Sequence, residues 1–153
     1  MEKENPGILF AGQGAQAVGM GKSFLDRGHV GRERFGVADE ILGWNLSTVV
    51  FEGPAEELTE TRICQPALFV HGIVVFEELK QRGIVREPAA VAGLSLGELT
   101  ALTAAGSMDF ETGLKLVAER GRLMQEACEQ TAGSMASVIG GTRESVTELC
   151  EQC

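Results

Sequence analysis

Positive charge is scarce in this chain. It carries 13 Lys and Arg against 22 Asp and Glu, a formal net charge of −9 at pH 7, which argues against non-specific binding to nucleic acid. Long apolar runs are missing too: no stretch of the sequence approaches the roughly 20 residues that a membrane helix needs. The N-terminus, MEKENPGILFAG, lacks the basic start and extended apolar segment of an ordinary signal peptide. The expected location is therefore the cytoplasm, and the four cysteines are expected to be thiols. Cys150 and Cys153 form one C-x-x-C with no second pair, which leaves a zinc site two ligands short. Histidine is rare as well. Only His29 and His71 are present, so a nucleophile that needs an imidazole beside it has little choice.

The residues that are present describe a domain with a real core. Of 153 residues, 44% are apolar and 20 are glycine, so tight turns or close backbone approaches are expected. Apolar runs of strand length alternate with helical ones. GILFAG (7–12) and AAVAG (89–93) read as strands, and GSMASVIG (133–140) as a third. AVGMGKSFLDRG (17–28), RERFGVADEILGW (32–44), a buried segment over 61–83 ending at Gly83, a segment starting near Leu96, 109–130 with Asp109 as its N-cap, and a final one opened by Thr142 read as helices. Strands alternating with helices predict an α/β fold with a parallel or mixed sheet. The last strand–helix pair opens a unit that has no continuation, so the chain reads as cut off.

Two glycine-rich stretches carry the chemistry. In FAGQGAQAVGMG, Gly12-x-Gly14-x-x-Ala17 fits the loose dinucleotide fingerprint, with Asp39 and Glu40 where a ribose-binding acid would sit. Against that reading, Gly19 and Gly21 would fall inside the phosphate-binding helix, at about 1 kcal/mol each. The other reading is a loop whose backbone N–H groups turn toward a reacting oxygen. In AGLSLGELTA, Gly93-Leu94-Ser95-Leu96-Gly97 fits G-x-S-x-G, with a strand leading in and a helix leading out, the setting of a nucleophile elbow. The plainer reading makes Ser95 a helix N-cap.

Arg120 tilts the balance toward a nucleophile. On helix 109–130 the apolar stripe runs Leu114, Val117, Gly121, Met124, Cys128. Arg120 lies roughly 70° from the centre of that stripe, while Arg122 lies on the far side. An arginine at the edge of a buried face needs an anionic partner, either a carboxylate such as Glu98 or a bound one.

At these residues the sequence resembles the malonyl-CoA:acyl-carrier-protein transacylases and the related acyltransferase domains of polyketide synthesis. The stretches that carry the resemblance are GQGAQAVGMG (12–21), QPALF (65–69), GLSLGELTALTAAG (93–106) and ERGRLMQEA (119–127), followed by GSMASVIG. It implies an α/β hydrolase-like core with a parallel sheet flanked by helices over 1–130, and over 131–153 the first strand and helix of an incomplete ferredoxin-like subdomain. It implies Ser95 as the acylated nucleophile, the backbone amides of Gln13 and Leu96 as oxyanion hole, Arg120 as holder of the malonyl carboxylate, and Gln65 near the active site. Malonyl would pass from malonyl-CoA to Ser95 and then to the phosphopantetheine thiol of acyl carrier protein, with no cofactor. No nucleic acid or membrane is expected as partner.

The chain departs from the family in two ways. Leu94 stands where the family usually has histidine. The chain is also about half the family's length, and the family's catalytic histidine comes from the part it lacks. The expectation is therefore a truncated form with little or no activity alone, or one completed by a second chain. His71 reads as a core histidine with a satisfied ring, and His29 as an exposed loop residue. Both expected partners are anionic, so docking would need a local basic patch drawn from Lys22, Arg27, Arg32, Arg34, Lys80, Arg82 and Arg86. The alternatives are a polyketide-type acyltransferase, a serine hydrolase, which has no need of Arg120, and a non-catalytic carrier-protein-binding relative.

Overall fold

A computed structural model of the chain describes residues 5–27, 29–131 and 138–152. Strand β1 (Gly7–Phe10) pairs in parallel with β2 (Ala90–Gly93), setting Phe10 opposite Gly93. Around this two-stranded sheet stand α1 (Lys22–Arg27), α2 (His29–Leu42), α3 (Leu46–Glu52), α4 (Ala55–Thr59), α5 (Thr61–Gln81), α6 (Leu96–Ala104), α7 (Phe110–Thr131) and α8 (Arg143–Gln152). The fold is α/β with a small parallel sheet and mostly helices.

Helix α5 is the central post. Every residue from Ile63 to Val70 is buried, as expected of a segment apolar on all sides. It ends as its sequence predicts: Gly83 turns to φ +66°, and the amides of Ile84 and Val85 both reach back to the carbonyl of Leu79. Its start is less ordinary. Glu60 offers no side-chain cap, and the amide of Thr61 is met instead by Gln125 Oε1 of α7 at 3.0 Å. Gly121 makes that meeting possible, because a Cβ there would lie 2.9 Å from the Thr61 carbonyl oxygen. Helices α5 and α7 are thus pressed together at the point where their polar side chains must meet.

The main core joins Phe35, Leu46, Val50, Leu58, Phe69, Leu96 and Leu114 from six helices. A second, smaller cluster of Phe10, Phe76, Val85 and Ala101 ties the sheet to α5 and α6. Asp109 caps α7 by accepting from the amide of Thr112 at 2.7 Å, which holds its carboxyl below the usual range.

Several expectations need correction. The helix expected over 17–28 begins only at Lys22, because Gly19 and Gly21 adopt φ of +86° and +79° and keep the chain in turns. Helices α3 and α4 lie in a stretch for which the sequence pattern gave no element. Residues 133–137 of the third expected strand lie outside the described residues, and Val138–Gly140 are irregular. His29 is exposed, as expected, but it opens α2 rather than lying in a loop.

Candidate active site

Strand β2 delivers the chain to Ser95, and α6 takes it away. Between them Ser95 adopts φ 56°, ψ −106°, the only non-glycine residue with positive φ among the described residues. Such a conformation costs on the order of 1–3 kcal/mol and persists only where its surroundings enforce it. Gly93 and Gly97 are part of that enforcement. A Cβ on Gly93 would collide with the Gly97 backbone, and one on Gly97 would lie 2.4 Å from the Phe10 carbonyl oxygen. Glu98 supplies the rest: its Oε1 accepts from the Ser95 amide at 3.0 Å. Glu98 is therefore not the counter-ion of Arg120, a pairing the sequence left open. Its position three residues after Ser95 is a capping-box spacing that was legible in the sequence.

Arg120 reaches Ser95 across the groove. Its Nη2 donates to Ser95 Oγ at 2.8 Å and its Nη1 to Gln65 Oε1 at 2.5 Å. Gln65, fully buried, uses its amide nitrogen toward Met124 Sδ at 3.2 Å and Gln13 Oε1 at 3.5 Å. Gln13 in turn donates to Thr61 Oγ1 at 3.1 Å. Four residues picked out by sequence, Gln13, Gln65, Ser95 and Arg120, thus form one hydrogen-bonded chain. Met124 and Thr61 complete it, and no sequence signal marked their polar role.

Arg120 pairs with no carboxylate among the described residues. Two positions on, Arg122 is saturated: it bonds Glu119 through Nε and Nη2 and Glu126 through Nη1. A half-buried guanidinium whose only partners are neutral is poised to bind a carboxylate. The amides of Gln13 and Leu96 also have no acceptor among the described residues. Leu96 is buried, and its N–H lies at the N-terminal end of α6, where partial positive charge collects.

Ser95 and Arg120 open onto a groove of about 670 Å³ whose walls are mostly apolar, from Leu94, Leu99, Leu102, Leu116, Leu123 and Met124, with Glu98 and Glu119 also lining it. Leu94, 76% exposed, stands beside the hydroxyl. Neither histidine lines this groove. His71 lines a cleft beside β1 instead. Its Nδ1 is buried without a hydrogen-bond partner among the described residues, so the expected satisfied ring is not found there, and burial pushes its pKa down.

Beneath the glycine-rich loop, burial pushes the Cys64 thiol up to about 11, while a backbone hydrogen bond from Gly14 acts in the opposite direction. The dinucleotide reading fails here on structure. The helix after the loop starts only at Lys22, well past Gly12 and Gly14, and Asp39 is spent bonding the amide and hydroxyl of Ser47 at the head of α3.

A second groove, about 630 Å³, lies between α2, α5 and α7 and contains Trp44, Arg62, Lys115 and Arg122. Each of its cations is paired with a carboxylate, so it offers no free anion site. Of the expected docking cations, Arg34 is held by Glu77 and Arg82 by Glu78. Lys22, Arg32, Lys80 and Arg86 remain exposed.

Comparison with known proteins decides the family. The acyl transferase domain family matches residues 8–152. The chain belongs to it. Among relatives of this acyl transferase chain, the malonyl CoA-acyl carrier protein transacylase of Bacillus subtilis is 42% identical over 145 residues, 95% of this chain and 45% of that protein. The solved malonyl-CoA:acyl carrier protein transacylase of Helicobacter pylori is 36% identical with a TM-score of 0.87, and covers 98% of this chain and 48% of its own. A malonyl-transacylase solved in complex with a type II PKS acyl-carrier protein is 34% identical with a TM-score of 0.83, over 97% of this chain and 48% of that one. The acyl transferase chain spans about half the length of the relatives it matches. No helix among the described residues is long and apolar enough to cross a membrane.

Proposed function

We propose that this chain carries the nucleophile half of a malonyl-CoA:acyl-carrier-protein transacylase site. Ser95 Oγ attacks the thioester carbonyl of malonyl-CoA. The oxyanion is met by the amides of Gln13 and Leu96, coenzyme A leaves as its thiol, and a malonyl ester remains on Ser95. The phosphopantetheine thiol of acyl carrier protein then takes the malonyl group and restores the hydroxyl. Arg120 holds the free carboxylate of the malonyl group, with Gln65 fixing the guanidinium from behind. The proton of Ser95 passes to a base carried by polypeptide equivalent to the part of the relatives that this chain does not span. No cofactor takes part.

The observation that carries this reading is the Arg120–Ser95 contact. A guanidinium without a carboxylate, 2.8 Å from a hydroxyl on a strained strand-to-helix turn, suits an acyl group that ends in a carboxylate. It has no use in a simple ester hydrolase. Within the same reading the core is hydrolase-like, residues 131–153 open a ferredoxin-like subdomain, Leu94 replaces a polar neighbour of the elbow with an apolar one, and the setting is cytoplasmic.

Mass spectrometry of the chain after prolonged incubation with malonyl-CoA tests the reading. A single malonyl group on Ser95, absent from Ser95→Ala and at least tenfold slower to form from acetyl-CoA, is the expected result, with little turnover onto carrier protein; tenfold corresponds to about 1.4 kcal/mol of discrimination. Equal labelling by the two donors, or labelling away from Ser95, overturns it.

A further inference from the structure

The glycine-rich loop is tied down at both ends. At its start Gly12 presses on the elbow, where an added Cβ would lie 2.7 Å from the Leu94 carbonyl oxygen. At its far end the Gly19 amide donates to the Val50 carbonyl at 2.8 Å. Between them, no backbone–backbone hydrogen bond joins residues 12–16 to another element among the described residues. The amide of Gly14, at φ +106°, is met inside the loop by Gln16 Oε1 at 2.8 Å. The Cys64 thiol lies against the Gly14 backbone, but a thiol is a weak partner. The aim of the Gln13 amide therefore depends on side chains.

Two of them reach Gln13 from α5. The contact from Gln65 Nε2 to Gln13 Oε1 is long, at 3.5 Å, whereas Gln13 Nε2 donates to Thr61 Oγ1 at 3.1 Å. Thr61 is held in turn. Its amide donates to Gln125 Oε1 at 3.0 Å, and Gln125 Nε2 donates to Glu129 Oε1 at 2.9 Å. Gln125 and Glu129 belong to α7, the helix that carries Arg120. A second line of hydrogen bonds thus runs from α7 through the first residue of α5 to the loop, beside the line from Arg120 through Gln65.

We propose that Thr61 is a positioning residue for the transfer: its hydroxyl anchors Gln13 and so aims the Gln13 amide at the oxyanion that forms on the acyl group at Ser95. This rests on the transacylase reading above and adds a residue to it. One helix then sets both ends of the malonyl group. Arg120 meets the carboxylate directly, and Gln125 acts on the thioester carbonyl through Thr61 and Gln13. Thr61 itself touches no reacting atom.

Thr61→Val in the full chain tests it. Valine keeps the branched shape and the amide that Gln125 accepts from, and removes only the hydroxyl. Gln13 is exposed, so water meets its freed side chain and the fold is preserved. Nitrogen-15 relaxation should show the order parameters of Gln13 and Gly14 falling from about 0.85 to below about 0.6, with Gly19 still rigid. Labelling of Ser95 at saturating malonyl-CoA, followed by mass spectrometry, should slow at least about threefold. The half-saturating concentration should stay within about twofold. Acetyl-CoA labelling should slow by the same factor, because the oxyanion is common to both donors. Thr61→Ser, which restores the hydroxyl, should recover loop order and rate.

A loop still ordered in Thr61→Val overturns the proposal, and so does labelling slowed by less than about threefold. A defect confined to malonyl-CoA, or one that Thr61→Ser fails to recover, also overturns it. Disorder that spreads to Gly19 with a lowered urea midpoint assigns Thr61 to the fold instead and overturns it too. A wild-type chain that takes up no malonyl defeats the catalytic reading, and the order parameters then decide the anchor: disorder at Gln13 and Gly14 in Thr61→Val upholds it, and a rigid loop overturns it.

Discussion

The two sides of α7 show how differently the same residue type is used within one helix. On the outer side Arg122 sits between Glu119 and Glu126, and both bonds raise its pKa further above the usual arginine range. On the inner side Arg120 rests against Gln65 and Ser95, with no carboxylate partner among the described residues. The outer arginine is solvated and satisfied, and contributes little. The inner one is half-buried and short of negative charge, which is a poor choice for stability and a good one for binding an anion. The functional signal is therefore the missing counter-ion at a half-buried site, not the presence of an arginine.

Substitutions along α7 break or sharpen this contrast. The largest effect should come from the stripe beneath both arginines. Leu114 is fully buried, and Leu114→Ala should cost about 3 kcal/mol in urea unfolding. Leu116, on the rim of the groove at 48% exposure, should change stability by less than about 0.5 kcal/mol when cut to Ala. Next comes Arg120→Ala. Malonyl transfer to Ser95 should slow about 100-fold by mass spectrometry, equivalent to about 2.7 kcal/mol, while labelling by acetyl-CoA stays nearly constant.

A smaller effect belongs to His71, the half-buried ring on α5. Its folded pKa is lowered by desolvation, so the unfolded chain binds the proton more readily. Stability should be level above about pH 7 and fall as pH drops below the unfolded value near 6.5, by at most about 1.4 kcal/mol per pH unit. His71→Leu should flatten a series of urea melts between about pH 6.5 and 5, above the range in which the carboxylates titrate. The smallest change should come from Arg122→Ala, with the urea midpoint nearly unmoved and Ser95 labelling unaffected.

Features that depend on local chemistry could be read from the sequence. The elbow follows from five consecutive residues, the cap at Asp109 from one, and the inward tilt of Arg120 from the period of a single helix. Gln13 and Gln65 came through family resemblance, since nothing in their own neighbourhoods marks them. Features that depend on distant packing could not be read. Helices α3 and α4 are short and interrupted by Gly53 and Pro54, so their periodicity never accumulates. The helix expected over 17–28 starts only at Lys22, because Gly19 and Gly21 take up turns that the helical pattern does not reveal. Thr61 is capped by Gln125 from 64 positions away, a pairing that exists only once Gly121 lets two helices touch.

Cys64 has a consequence of its own. Its thiol is buried close to the backbone of Gly14 in the glycine-rich loop, and burial holds it almost wholly protonated at neutral pH. Cys150 is exposed and Cys128 partly so, and both should react with a thiol reagent ahead of it. Any slow modification of Cys64 that follows must wait for the loop to lift. The rate of that last reaction measures how often the segment bearing Gln13 opens, which makes Cys64 a native clock for loop motion that needs no introduced label.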